Sequence, residues 1–354
     1  MRKESYDFLI ELLKAPSPSG FEAPARKIYR EYVSKFADEV RTDVMGNTIA
    51  VLNAGGSPRT LYAGHIDEIG VMVSHITEQG YLKFRTIGGW DPIILVGQRV
   101  VLQTQKGAIY GVIGRTPIHL LDPQEREKAP KLEQLFIDIG AKDGKAAKKI
   151  VEVGDVGVIA SEPLKLQGNR LVVRGADDRL GAFVVAEAMR IAAEKKKELK
   201  AALFSVATVQ EEVGLRGAKT VAFGLDPAVG IAVDVGFATD HPGADPAKTG
   251  EAKLGLGPIV AKGANINPKV NELLVSIAKK KRIKIQKEGI PGATGTDANV
   301  IQMTRAGVAT GLVSIPLRYM HSPVEVLDTS DLEGSANLLA EFALSLKPDM
   351  DFTP

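Results

Sequence analysis

The sequence predicts an α/β protein: a mixed, largely parallel sheet covered by helices, with a small β-barrel-like domain inserted into it. Three observations carry that expectation. Strand and helix patterns alternate after residue 170, and short β-rich runs without helical periodicity fill residues 70–163. A length of 354 residues also exceeds what one compact core needs. The expected organisation is a discontinuous α/β domain, residues 1–69 and 164–354, interrupted by a β-rich domain at 70–163.

The elements follow in order. Two amphipathic helices, about residues 4–14 and 22–36, are separated by the breaker PSPSG. A turn at Met45-Gly46-Asn47 precedes a strand, Thr48–Val51, and an apolar strand, Thr60–Ala63, runs into Gly64-His65-Ile66-Asp67. The insertion shows strands at Val71–Ile76, Tyr81–Ile87, Gln98–Gln103, Ile109–Ile113 and Gly157–Ile159, with a polar loop over Leu121–Lys131. Beyond it, strand Leu171–Arg174 leads to a helix over Leu180–Lys196, and strand Ala201–Val209 to a short helix near Ala218. Strand Val229–Val235 comes next, then a helix capped by Asn267-Pro268 that runs to about Lys281. A strand is expected at Arg282–Gln286 and another at Val308–Ile315, and Ser330-x-x-Glu333 reads as the capping box of the last helix.

Composition excludes several function classes. The formal charge is only +2, and no basic cluster is joined to an aromatic platform, so nucleic acid is not an expected partner. The run Lys279–Arg282 closes a helix, where cations suit the dipole. There is no cysteine, which removes disulfides, thiolate metal sites and cysteine nucleophiles together and leaves five histidines and the carboxylates for any metal chemistry. Acidic residues interrupt the amphipathic N-terminal stretch and no apolar run is long enough to span a bilayer; a cytoplasmic protein without a membrane partner is expected.

The strand ends carry the chemistry. One leads to His65 and Asp67, one to Asp177 and Asp178, one to Gln210-Glu211-Glu212, one holds Asp234, and one runs on to His321. Ligands of open α/β sheets sit at the carboxyl ends of strands. Taken singly, each residue has a structural reading: a helix cap for the Asp pair, a solvated turn for the Glu pair, a surface imidazole for each His. Together they do not. Asp234 lies inside the apolar run VGIAVDVGF, and the Glu pair follows a near-continuous apolar strand, with no Lys or Arg adjacent in either. Buried carboxylates need cations, and metal ions would satisfy them. A pair of divalent ions needs a shared carboxylate and about two further N or O ligands each. Two His and several Asp and Glu supply that set with an acidic residue left over as base, and His65-x-Asp67 fits a carboxylate that orients an imidazole.

GHIDEIG, GADDRLG, VQEEVGLRGA, AVDVGFATD, GTDA and IPLRYMHSPVE resemble, in family order, the motifs of the tetrahedral (TET) and glutamyl aminopeptidases, co-catalytic metallopeptidases of which some are labelled endoglucanases. The resemblance covers nearly the whole chain, including HLLDPQEREKAPKLEQLFIDIGA in the insertion. It implies that His65, Asp177, Glu212, Asp234 and His321 hold two divalent ions, zinc or cobalt, with Asp177 bridging. Glu211 is then the general base and Asp67 orients His65, while Asp178 acts as a cap or support. His75, His119 and His241 match no ligand motif, and Leu256 in LGLGP stands where many relatives have a lysine. The implied activity is removal of N-terminal residues from short peptides. The implied assembly is a dodecamer built from dimers joined through the insertion.

A related deacylase or carboxypeptidase could reuse the same centre. A glycosidase would suit the carboxylates, but 5% aromatic residues and a single Trp leave little for sugar stacking. A non-catalytic peptide-binding scaffold would need a broken site, and no ligand or base is missing from the motifs.

Overall fold

The computed structural model describes residues 1–354. Its N-terminal part comprises α1 (Lys3–Lys14), α2 (Ala23–Val33), the hairpin β1 (Glu39–Thr42) and β2 (Thr48–Leu52), and β3 (Arg59–His65). Six antiparallel strands then close a barrel: β4 (Gly70–Ile76), β5 (Leu82–Ile87), β6 (Arg99–Thr104), β7 (Gly107–Gly114), β8 (Phe136–Asp138) and β9 (Val156–Ile159). Its loops carry three one-turn helices, α3 (Pro92–Leu95), α4 (Pro123–Arg126) and α5 (Gly144–Ala147). Closure removes the unpaired edges that an open sheet of this size would expose. The barrel has a core of its own, in which Val71, Phe84, Leu102 and Ile137 meet.

The chain returns through β10 (Leu164–Lys165), β11 (Arg170–Val173), α6 (Ala176–Glu194), β12 (Ala202–Thr208), α7 (Arg216–Leu225) and β13 (Val229–Phe237). It continues through α8 (Pro246–Thr249), β14 (Ile259–Gly263), α9 (Pro268–Lys281), β15 (Gln286–Ile290), α10 (Ala298–Gln302), β16 (Ala309–Leu317), β17 (Glu325–Asp328) and α11 (Thr329–Ser345). The main sheet has eight strands in the order β1-β2-β12-β3-β13-β16-β14-β15. Its centre, β12-β3-β13-β16, is parallel, while β1, β2 and the β14–β16 pair are antiparallel. The parallel strands are buried along nearly their whole length because helices cover both faces. Coverage is unequal: α1, α2, α6, α9 and α11 bury a cluster of 50 residues on one face, whereas α7 and α10 bury 18 on the other.

Local differences from the sequence reading have physical causes. β11 does not join the main sheet; it pairs antiparallel with β10 and β17 in a three-stranded sheet beside it. The strand expected at Arg282–Gln286 instead begins at Gln286, because Arg282 ends α9 in a left-handed conformation and the Ile283 N–H returns to the Ala278 carbonyl. The capping box at Ser330 does not form. Asp328 caps α11 by accepting from the Ser330 N–H, and Glu333 pairs with the N-terminal ammonium instead. No helix is long and apolar enough to cross a membrane.

Candidate metal centre

The carboxyl ends of the central parallel strands converge on one edge. β3 ends at His65, in register with Thr208 of β12, and Asp234 lies towards the end of β13 opposite Ser314 of β16. α6 starts irregularly: Asp177 and Asp178 leave helical geometry, which turns both carboxylates towards β3. This approach depends on two glycines. A Cβ on Gly64 would lie 2.3 Å from the Gly181 carbonyl carbon, and one on Gly181 would lie 2.2 Å from an Asp178 carboxylate oxygen. The glycines of GHID and DRLG are therefore what lets α6 sit directly on β3.

Asp177 stands between two imidazoles. Its Oδ1 lies 3.2 Å from His65 Nε2, and its Oδ2 lies 3.2 Å from His321 Nε2. Glu211 Oε2 is 3.7 Å from His65 Nε2, and Glu212 Oε1 is 3.4 Å from His321 Nε2. The five residues named as ligands and Glu211 thus line one cavity of about 460 Å³. Ligand atoms of His65, Asp177 and Glu212 lie within 4.8 Å of one another, as do those of His65, Asp178 and Asp234. Asp178 differs from the others, however. Its Oδ2 accepts from the His65 main-chain N–H at 3.1 Å and its Oδ1 from the Gly181 N–H at 2.9 Å, so both oxygens already have backbone donors.

The imidazoles are aimed by carbonyls. His65 Nδ1 faces the Asp67 main-chain oxygen at 3.2 Å, closer than the Asp67 carboxylate at 3.6 Å. The carboxylate has other work: Oδ1 accepts the Glu211 N–H at 3.1 Å, and Oδ2 accepts the Glu212 N–H at 3.2 Å and the Ser19 hydroxyl at 2.6 Å. It ties the Glu pair to the end of β3. His321 Nδ1 faces the carbonyl of Gly89, a barrel residue, at 2.8 Å. The His321 N–H donates to Glu325 at 3.0 Å, and the same carboxylate accepts the Ala176 N–H at 2.7 Å.

Electrostatics favour a cationic occupant. Burial pushes the Glu211 carboxyl up to about 10, with Asp234, Asp297 and Glu212 adding repulsion against the pull of His65. Burial also raises Glu212 and drives Asp234 well up, with Asp177 adding to both. Burial works against charge on His65, yet Glu211, Asp177 and Asp67 outweigh it and hold the imidazole well above its ordinary range. Asp177 is also buried, but the two imidazoles keep its carboxyl well below the usual carboxylate range. Glu212 Oε1 is buried without a hydrogen bond. No Lys or Arg lines the cavity. Hard oxygen and imidazole donors, crowded and short of cations, are a donor set that fits divalent ions such as zinc or cobalt.

Several supporting residues were given no role by the sequence reading. Glu68 forms a buried cluster with Arg174 and Arg179, whose Nη2 donates at 2.7 Å, beneath the start of α6. Asp297, in the motif GTDA, accepts the Thr208 hydroxyl at 2.6 Å and leaves Oδ1 buried without a partner; burial raises its carboxyl to about 6. Glu22 accepts the Gln210 N–H at 3.2 Å. The adjacency of Glu68 to Asp67, and of Arg179 to the Asp pair, is the signal that could have pointed to the first of these. His75 and His119 are exposed, His241 is half-buried, and none of the three lines the cavity.

Residues 46–338 match the model of the M42 glutamyl aminopeptidase family. The chain is 39% identical over 355 residues to a lysyl aminopeptidase of Pyrococcus furiosus, with 99% of each chain covered. Its fold matches the TET aminopeptidase of the marine sediment archaeon Thaumarchaeota archaeon SCGC AB-539-E09 at a TM-score of 0.93, with 39% identity over 97% of this chain and 96% of that one. The TET1 peptidase of Pyrococcus horikoshii, which can assemble into a tetrahedron or a large octahedral shell, matches at a TM-score of 0.86, with 33% identity over 97% of this chain and all of the other. Sequence and architecture agree along the whole length, and the chain belongs to the M42 glutamyl aminopeptidase family, a family of peptide-bond hydrolases.

Proposed function

We propose that the chain is a two-metal aminopeptidase that removes N-terminal residues from short peptides. The observation that carries this reading is the placement of Asp177 between His65 and His321, one carboxylate oxygen facing each imidazole at 3.2 Å, with Glu211 beside them. In this reading His65, Asp177, Glu212, Asp234 and His321 hold two divalent ions, zinc or cobalt, with Asp177 shared. Bound there, such ions supply Lewis acidity that polarises the scissile carbonyl, acidifies the attacking water and holds the free α-amino group.

The protein's own groups do the rest. Glu211 accepts the proton of the attacking water at its carboxylate and returns it to the departing amine. Cations held beside it would favour the ionised carboxylate that this exchange needs, offsetting the burial that raises the group in their absence. Asp67 is a positioning residue: by holding the Glu211 and Glu212 N–H groups, it keeps the base beside His65 and the ligand beside His321. Glu325 does the same for His321 and the start of α6.

Residues 1–69 and 164–354 form the catalytic domain in this proposal, and residues 70–163 form the dimerisation domain. Exposed apolar side chains on the inserted segment, among them Tyr110, Val112, Ile118 and Leu120, support a contact role for it. Dimers would then build a dodecamer, and the protein would act on peptides in the cytoplasm. The relatives are named for different first residues, so no preference is carried over from them.

The test is metal-stripped protein restored with zinc or cobalt and given free-amine aminoacyl-anilides alongside N-acetylated controls. Metal-dependent release from free amines alone is expected. Equal cleavage of the acetylated controls would move the function to a deacylase.

A further inference from the structure

We propose that the first side chain of the substrate is uncharged and apolar, and that Phe237 at the end of β13 is the residue it packs against. The inference rests on the aminopeptidase reading. If the free amine and the scissile carbonyl sit at the His and carboxylate end of the cavity, the first side chain projects towards the remaining wall. That wall is formed by Leu215, Val235, Phe237, Thr294, Thr296 and Met320. None of these side chains ionises.

The polar atoms on this wall are already engaged. Thr294 Oγ1 lies 2.8 Å from Asn265 Oδ1, and 2.9 Å from both Thr296 Oγ1 and Asn299 Oδ1. The single Thr294 hydroxyl proton serves one of the two amide oxygens and the Thr296 hydroxyl lies within reach of Thr294, so both hydroxyls have partners within the protein. Arg318, close in sequence to Met320, is not a free cation. Its Nε and Nη2 donate to the two oxygens of Asp240 at 2.8 and 2.6 Å, and both side chains are about 15% exposed. The pair neutralises itself, and neither member lines the cavity.

A Lys, Arg, Asp or Glu side chain entering here would lose water and gain no partner, which opposes binding. An aliphatic or aromatic side chain loses nothing and gains apolar contact. Phe237 offers that contact: it is 62% exposed although it ends a strand that is otherwise buried. A cavity of about 460 Å³ has room for a side chain as large as Leu, Met or Phe.

The experiment uses full-length protein loaded with zinc or cobalt and measures kcat/KM on Leu, Met, Phe, Lys, Arg, Glu and Asp anilides. The apolar substrates are expected to exceed the charged ones by about tenfold or more. Lys or Glu anilides cleaved as well as Leu would overturn the inference while leaving the aminopeptidase reading intact. Silence across all free-amine substrates would overturn that reading and this inference with it. The Phe237→Glu variant, checked for folding by circular dichroism, gives a second measure. Its Lys-to-Leu ratio should rise about tenfold, and an unchanged ratio would remove Phe237 from the subsite.

Discussion

Replacing Gly64 by alanine tests whether the contact between β3 and α6 sets the geometry of the centre. The added Cβ would fall 2.3 Å from the Gly181 carbonyl carbon and 2.5 Å from the Ala182 nitrogen. Ordinary van der Waals contact begins near 3.4 Å, so α6 must retreat by roughly 1 Å. Both obstructing atoms are backbone, in a helix packed beneath α11, and no flexible side chain can yield instead. Overpacking of this kind should cost about 3 kcal/mol, at the upper end of the usual range. The same retreat carries Asp177 away from His65, now 3.2 Å apart, so the variant should also bind metal more weakly. Urea unfolding followed by circular dichroism measures the first effect, and metal content after dialysis against a fixed zinc concentration measures the second. A variant with the parental urea midpoint and full metal content would refute the claim that this glycine contact positions the site.

Two further outcomes follow from the same geometry. Glu211→Gln keeps the size of the side chain and removes the proposed base; metal content should stay within error while kcat falls about a hundredfold or more, and near-normal turnover would sink the assignment. The pH response of metal uptake has a definite sign. Without a metal ion, contacts with Asp177 and Glu212 push the His321 imidazole up to about 11, so at pH 7 it carries a proton that a ligating nitrogen must shed. His65 is displaced in the same direction. Proton release should therefore accompany zinc binding, and the apparent affinity should climb about tenfold per pH unit for each proton displaced. By the same linkage, the His321 contribution to metal-free stability is complete below its unfolded value near 6.5 and is lost as pH rises through about 11. Calorimetry at pH 7 in two buffers of different ionisation heat counts the protons; a count of zero would contradict the assignment.

Strand ends were legible in the sequence because apolar runs stop abruptly at His65, Asp177 and Glu211, a change of chemistry that periodicity registers directly. Asp234 was legible for the opposite reason, as a charge inside an apolar run. The mixed sheet was harder to read. β14, β15 and β17 are four or five residues long, and β15 alternates half-buried and exposed positions at the edge, so little apolar pattern marks it. β8 has three residues and depends on long-range pairing with β5 and β7. The least legible features are those made by backbone. The sequence reading gave the Asp67 carboxylate to His65, whereas its main-chain oxygen stands nearer and the carboxylate holds two N–H groups of the Glu pair. Hydrogen bonds of this type depend on where chain segments cross, and residue identity says nothing about them.

The Gly89 carbonyl facing His321 Nδ1 has a consequence for how this protein can be taken apart. His321 occupies a left-handed turn, with φ of 58°, and one of its ring contacts comes from a peptide group on the other architectural unit. The barrel is therefore not an exchangeable cassette. A chimera that grafts a foreign barrel between β3 and β11 must reproduce one carbonyl direction at position 89, or the imidazole loses its Nδ1 partner even though every side chain that faces its Nε2 remains present. Modularity in the gene does not extend to the chemistry, because a tie of 2.8 Å crosses the seam.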